Sequence, residues 1–108
     1  MERRTAPRLT RQLPIRVGHA EFVSTNVSTT GLQFGCPSMW SLRLQPILDS
    51  GAINATIELP DQQTVTFDGK IVYASKVDDE YLVGVEFTSF RDDGEQVWSA
   101  FVSTFVTN

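Results

Sequence analysis

Apolar and polar residues alternate along most of the chain, and this pattern predicts a mainly β protein. Leu13, Ile15 and Val17 alternate with Pro14 and Arg16, which is typical of a strand with one buried face. Further segments with a β pattern are 20–27, 31–34, 52–59, 64–67 continuing through 70–74, and 81–87. Closing such strands on themselves removes exposed edges, so we expect an antiparallel barrel of six or seven strands.

Two segments follow a helical pattern instead. Near the C-terminus, apolar residues recur on one face of a helix, and we expect this helix to pack against the barrel with its aromatic stripe in the core. The residues of that stripe are Val97, Trp98, Phe101, Val102, Phe105 and Val106. Ser38 is a plausible N-cap for a shorter helix that Pro46 limits, and residues 76–80 are predicted to form a polar turn.

Composition restricts the class of protein. The chain has 108 residues, of which 41% are hydrophobic and 20% charged, as expected for one globular domain. No apolar run approaches the roughly 20 residues of a membrane-spanning helix, and the N-terminus lacks the apolar stretch of a secretory signal. One cysteine and one histidine predict neither an internal disulfide nor a metal site. We therefore expect a cytoplasmic protein without membrane insertion and without a cofactor.

Charge is divided unevenly along the chain. Residues 1–16 contain five arginines and one glutamate, a net charge of +4, whereas the remainder contains 4 basic and 12 acidic residues, a net charge of −8. This division predicts an arginine-rich ligand-binding arm over residues 1–12 and a barrel with its helix over residues 13–108. Guanidinium groups offer a planar fork of donors and a flat face, which favours an anionic or planar partner. The plainer alternative is a basic arm that docks on the acidic body.

Two short motifs carry the candidate chemistry. Arg4 and Arg8 are separated by three residues, and Asn26, Ser28 and Gly31 follow about 20 residues later in the segment NVSTTG. In this order and spacing they resemble the RxxxR and [D/N]xSxxG motifs of PilZ domains, which bind cyclic di-GMP. The resemblance extends to the first strand and to the later segments GKIVY and VGVEF, and so covers nearly the whole chain.

This resemblance implies a non-enzymatic cyclic di-GMP receptor whose arm closes over the ligand on the barrel surface. Arginine can pair with guanine O6 and N7 or with phosphate, and can stack on the base. Asn26 can accept from the N1–H and N2–H groups of guanine, Ser28 can donate its hydroxyl, and Gly31 is expected at a positive φ or close to the ligand. Arg3 precedes the first motif, and in similar proteins a basic residue there can help to hold a stacked pair of ligands.

The receptor would alter contacts with a downstream protein or with a second copy, so homodimer formation stays open. One alternative is an interaction module that binds no nucleotide. Another is a barrel that binds single-stranded nucleic acid, against which the sequence pI of about 4.8 argues. No nucleophile, base and orienting group can be assembled from the sequence, which predicts that the protein is not an enzyme.

Overall fold

The strands close into one antiparallel barrel. The computed structural model describes residues 12–37 and 41–106, and of residues 41–44 and 105–106 it describes the backbone alone. The strands are β1 (Pro14–Val17), β2 (Ala20–Val27), β3 (Gly31–Pro37), β4 (Ala52–Glu58), β5 (Thr64–Val77) and β6 (Glu80–Phe90). Around the barrel they follow the order β1-β2-β3-β6-β5-β4, and β4 returns to β1 through the pair Ile15↔Ile57. The predicted mainly β barrel with a C-terminal helix is confirmed, with six strands.

Alternation along the strands builds the core. On β1, Ile15 and Val17 are buried while Pro14 and Arg16 are exposed, as the sequence pattern predicted. Burial of such side chains stabilises the fold by about 25 cal/mol for each Å² of apolar surface that is removed from water. The largest fully buried side chains are Trp98, Phe34, Phe67, Ile15, Leu32, Ile57, Val27, Val65, Val83, Val85, Val102 and Cys36.

A β-bulge at Thr25 changes which face of β2 each residue occupies. Ser24 pairs with Phe34, but the next pair in the register is Asn26 with Gln33, so Thr25 is the extra residue. A bulge of this kind shifts the alternation by one position. Ser24 and Val27 are consequently both buried, and Asn26 lies on the outer face of the barrel.

The hairpin of β5 and β6 is longer than the sequence pattern indicated. The predicted polar turn over residues 76–80 is wrong, because Lys76 pairs with Tyr81 and Val77 pairs with Glu80. Only residues 78 and 79 remain as the turn, and Asp78 has a φ of 57°. Aspartate tolerates this left-handed conformation, which two-residue hairpin turns require.

The first helix, α1 (Ser41–Ser50), does not end at its proline. Pro46 lies inside α1, contrary to the prediction that it limits this helix. Pro46 removes one backbone donor, but Ile47 packs against the core and the helix continues to Ser50. It ends at Gly51, whose φ of +75° and amide bond to the Ile47 carbonyl (2.9 Å) form a left-handed cap. The predicted N-cap Ser38 lies outside the described residues. Of the apolar residues that the sequence pattern assigns to this helix, Met39 and Trp40 also lie outside them, as do the side chains of Leu42 and Leu44.

The second helix, α2 (Gly94–Val106), packs on β5 and β6 with its aromatic stripe inward. Trp98 and Val102 are fully buried, and Phe101 is half-buried. The Trp98 ring meets Phe87 edge-on, with centroids 5.4 Å apart. The predicted burial of the stripe is therefore confirmed for these residues, while the side chains of Phe105 and Val106 lie outside the described part.

Candidate functional site

The turn between β2 and β3 carries the second motif, and its serine holds it together from within. The Ser28 hydroxyl accepts hydrogen bonds from the amides of Thr30 (3.3 Å) and Gly31 (3.2 Å). The Ser28 amide donates to the Gly31 carbonyl at 2.9 Å. Ser28 is only 2% exposed. Its hydroxyl, predicted to donate to a ligand, is thus part of the internal bonding of this turn.

Trp98 connects the same turn to α2 through a hydrogen bond. Its indole Nε1–H donates to the Ser28 carbonyl oxygen at 2.9 Å, across 70 residues of sequence. The sequence pattern placed Trp98 in the core but did not reveal this bond. A buried indole N–H has to find an acceptor, which signals a hydrogen bond without identifying its partner.

The close approach of β6 leaves no room for a side chain at Gly31. Gly31 was expected to have a positive φ or to lie close to the ligand; the described glycines with positive φ are Gly18 and Gly51, so the first reason is wrong and the second stays a prediction. A Cβ at Gly31 would lie 2.1 Å from the backbone oxygen of Val85 on β6. Because real Cβ atoms essentially never approach another atom within 3.0 Å, this position admits only glycine without a shift of the strands.

Asn26 begins a row of paired residues across the outer face of four strands. Asn26 pairs with Gln33, Gln33 with Gly84, and Gly84 with Tyr73. The Asn26 Nδ2 group donates to Gln33 Oε1 at 2.9 Å, and Gln33 Nε2 donates to the Tyr73 hydroxyl at 2.8 Å. Gln33 and Tyr73 therefore belong to the surroundings of the site, although the sequence motifs gave no sign of them.

The described chain starts beside this row. The Leu13 amide donates to Ser24 Oγ at 2.9 Å, and the Ser24 amide donates to the Leu13 carbonyl at 2.9 Å. Leu13 therefore lies opposite Ser24, two residues before Asn26.

The structure brings Asn26, Ser28 and Gly31 together at one end of β2 and β3. Arg3, Arg4 and Arg8 lie outside the described residues, and their roles stay predictions. A carboxylate also adjoins the turn, since Glu86 pairs with Gly31 in the register. It forms an ion pair with Lys70 at 3.2 Å, which offsets part of its charge.

The described side chains of the candidate site take part in hydrogen bonds. Within residues 12–37 and 41–106, no group of three histidine, cysteine or acidic side chains could hold a metal ion. Burial, followed by the charge of Glu80, raises the pKa of the Cys36 thiol, so little of it is thiolate at neutral pH. His19 is exposed in the turn between β1 and β2.

Comparison with known proteins identifies the class. The PilZ domain profile matches residues 2–103, and the chain belongs to this family. A comparison with curated proteins found no match. The predicted family and its barrel fold are confirmed.

Several solved structures share the fold. The Bacillus subtilis inhibitor of motility, MotI/DgrA, superimposes with a TM-score of 0.76 at 14% identity, covering 100% of this chain and 53% of that one. MrkH of K. pneumonia in complex with c-di-GMP gives 0.74 at 15% identity, covering 99% and 52%. YcgR of Escherichia coli in complex with c-di-GMP gives 0.69 at 11% identity, covering 98% and 47%.

The chain spans about half the length of these three proteins. In the described part of the chain, neither helix has the length and apolar character needed to span a bilayer.

Proposed function

We propose that this PilZ domain is a non-enzymatic receptor for cyclic di-GMP, which binds on the outer face of the barrel beside the turn between β2 and β3. The proposal is supported by the family and by the two motifs in their expected order. MrkH and YcgR, which share the fold, were solved in complex with c-di-GMP. The observation that supports it furthest is the bonding of Leu13, the residue directly after the predicted arm, to Ser24, two residues before Asn26.

The arm supplies the cationic half of the site. Arg4 and Arg8 pair with guanine edges or phosphates and stack on the bases, which are the contacts that guanidinium groups make best. Arg3 adds a third guanidinium for a stacked pair of ligands. Ordering some ten residues costs on the order of 10–20 kcal/mol in backbone entropy, and Pro7 lowers that cost by restricting the chain before binding.

The barrel supplies the rigid half. Asn26 is half-buried on the outer face, where its amide accepts from the N1–H and N2–H groups of guanine. Ser28 contributes by shaping the turn, since its hydroxyl bonds to the turn's own amides. Gly31 lets β3 and β6 approach closely beneath the turn. These contacts belong to the folded barrel itself, and the arm closes over the ligand against them.

Ordering of the arm changes the surface that the domain offers to another protein or to a second copy. A ligand shifts such an equilibrium only by its different affinities for the two states of the arm. We propose that the protein performs this role in the cytoplasm, where a nucleotide messenger is available to it, and that its output is a protein contact and not catalysis.

Isothermal titration calorimetry tests the receptor. Cyclic di-GMP is titrated into the wild type, into the double variant Arg4→Ala/Arg8→Ala, and into Arg16→Ala as a matched control. Arg16 is an exposed arginine on β1, so its loss removes one guanidinium group from outside the arm and measures the effect of one lost positive charge. GTP and single-stranded DNA are titrated separately as control ligands.

We expect the double variant to bind at least 100-fold more weakly than the wild type and Arg16→Ala to bind within twofold of it. The fitted stoichiometry separates one bound ligand from a stacked pair. Equal weak binding of all three polyanions would indicate a nucleic-acid-binding barrel instead. Absence of any nucleotide binding would leave an interaction module.

A further inference from the structure

We infer that Gln33 and Tyr73 are positioning residues that set the hydrogen-bond direction of Asn26 and thereby make the site select guanine over adenine. This inference rests on the proposed function and deepens it. The side-chain amide of asparagine can present either a carbonyl oxygen or an NH₂ group to a ligand, depending on its rotation. Whatever fixes that rotation decides which base edge the site accepts.

Three hydrogen bonds meet on the side chain of Gln33. Its Oε1 accepts from Asn26 Nδ2 at 2.9 Å and from Thr25 Oγ1 at 2.7 Å. Its Nε2 donates to the Tyr73 hydroxyl at 2.8 Å, across 40 residues of sequence. Both ends of the glutamine amide are therefore engaged by different neighbours, which opposes its rotation.

The hydroxyl of Thr25 determines which end of Gln33 faces Asn26. This hydroxyl has one hydrogen and two acceptors in reach, Gln33 Oε1 at 2.7 Å and the Gln33 backbone oxygen at 3.3 Å. The shorter distance matches the usual O–H···O bond, so the hydrogen goes to Oε1. With Oε1 as the acceptor, Asn26 has to present its Nδ2 group to Gln33. The carbonyl oxygen of the Asn26 amide is then the end turned away from Gln33, and it is the end that we assign to recognition of the base.

Tyr73 holds the far end of this chain of bonds in place. Its ring lies over Gly84, where a Cβ would come within 2.2 Å of ring atom Cε2. The register shift between Ile71 and Tyr73 leaves Val72 as an extra residue and sets Tyr73 opposite Gly84. Strand pairing thus places the Tyr73 hydroxyl next to Gln33, and the absence of a side chain at Gly84 leaves room for the ring.

A carbonyl oxygen suits guanine and not adenine. Guanine presents two donors on this edge, N1–H and the N2 amino group, whereas the N1 of adenine is an acceptor and would face the asparagine oxygen without a hydrogen. Two acceptors that face each other repel and form no hydrogen bond, which a binding site discriminates against strongly. An amide turned the other way would lose this preference.

Selectivity is measured as the dissociation constant for cyclic di-AMP divided by that for cyclic di-GMP. Both ligands carry two phosphates, so effects of a variant's net charge on phosphate binding cancel in the ratio. Gln33→Lys offers only donors to Asn26, so the amide oxygen of Asn26 turns toward residue 33 and its Nδ2 group faces the ligand. Gln33→Glu keeps acceptors facing Thr25 and Asn26 and is the matched control. Tyr73→Phe removes one hydroxyl and keeps the ring on Gly84.

We expect Gln33→Lys to lower the ratio at least tenfold, Tyr73→Phe to lower it by a smaller factor, and Gln33→Glu to leave it within threefold of the wild type. Circular dichroism confirms that each variant is folded. A ratio unchanged in Gln33→Lys, with cyclic di-GMP still bound, overturns the positioning role and leaves the receptor intact. A wild type that binds neither dinucleotide overturns both proposals.

Discussion

Replacement of Gly31 by alanine tests whether the glycine of the second motif serves the fold. The added Cβ would lie 2.1 Å from the Val85 oxygen and 3.2 Å from the Val85 carbonyl carbon. Both atoms are backbone, so neither can rotate away as a flexible side chain would. β3 and β6 would have to separate by about 0.9 Å at this pair to restore the 3.0 Å limit.

The cost follows from overpacking and from weakened bonds in the turn. Forcing one extra carbon into a packed site costs about 1–3 kcal/mol, and weakening a backbone hydrogen bond costs about 1 kcal/mol more. We therefore expect Gly31→Ala to lose about 2–4 kcal/mol of unfolding free energy. For a domain of this size that corresponds to a fall in Tm of about 10–25 °C.

Gly35→Ala is the matched control on the same strand and the same face. Its Cβ would meet only the Glu80 carboxylate, at 3.2–3.3 Å, and that flexible side chain can move. Thermal and urea unfolding of both variants measure the difference, and we expect Gly35→Ala to lose less than about 1 kcal/mol. Equal stability of the two variants would refute a steric role for Gly31.

The remaining predictions concern other parts of the domain. Trp98→Phe removes the donor to the Ser28 carbonyl and leaves a cavity, so we expect a loss of about 2–4 kcal/mol in urea unfolding. The pKa of Asp68 is lowered, first by the hydrogen bond from Asn54, so its carboxylate stabilises the fold above its ordinary pKa and this contribution disappears as the pH falls through the lowered value. Between pH 7 and 3 the urea midpoint of Asp68→Asn should therefore fall less than that of the wild type, and an equal fall would contradict this. The thiol of Cys36 should react with Ellman's reagent at pH 8 only as fast as the barrel unfolds, since burial both shields it and raises its pKa.

The alternation of apolar and polar residues was sufficient to predict the barrel, because a strand with one buried face has an apolar residue at every second position. The alternation on β1 is an example, with Ile15 and Val17 inward and Arg16 outward. The extra residues Thr25 and Val72 could not be predicted, since each bulge depends on pairing with a strand distant in sequence. These two bulges decide which residues share a face with the candidate site.

The motif residues were predicted from the sequence, but their individual roles were only partly accessible. Asn26 lies on the outer face as the receptor interpretation requires, whereas Ser28 is buried in its turn and Gly31 is constrained by β6. Gln33 and Tyr73 were missed because they meet across 40 residues and belong to no motif. Local patterns cannot report such a contact.

The reciprocal bonds between Leu13 and Ser24 anchor the chain just before β1 to β2. Ser24 is fully buried, and its neighbours in the register are held by strands on both sides. A force on the chain at Gln12 would therefore be resisted by these two bonds before it reached the rest of the sheet. Under the proposed function, a partner protein that distinguishes the two states would have to contact the arm and the barrel surface next to Asn26, because the strands on the other side of the barrel would keep the same shape in both states.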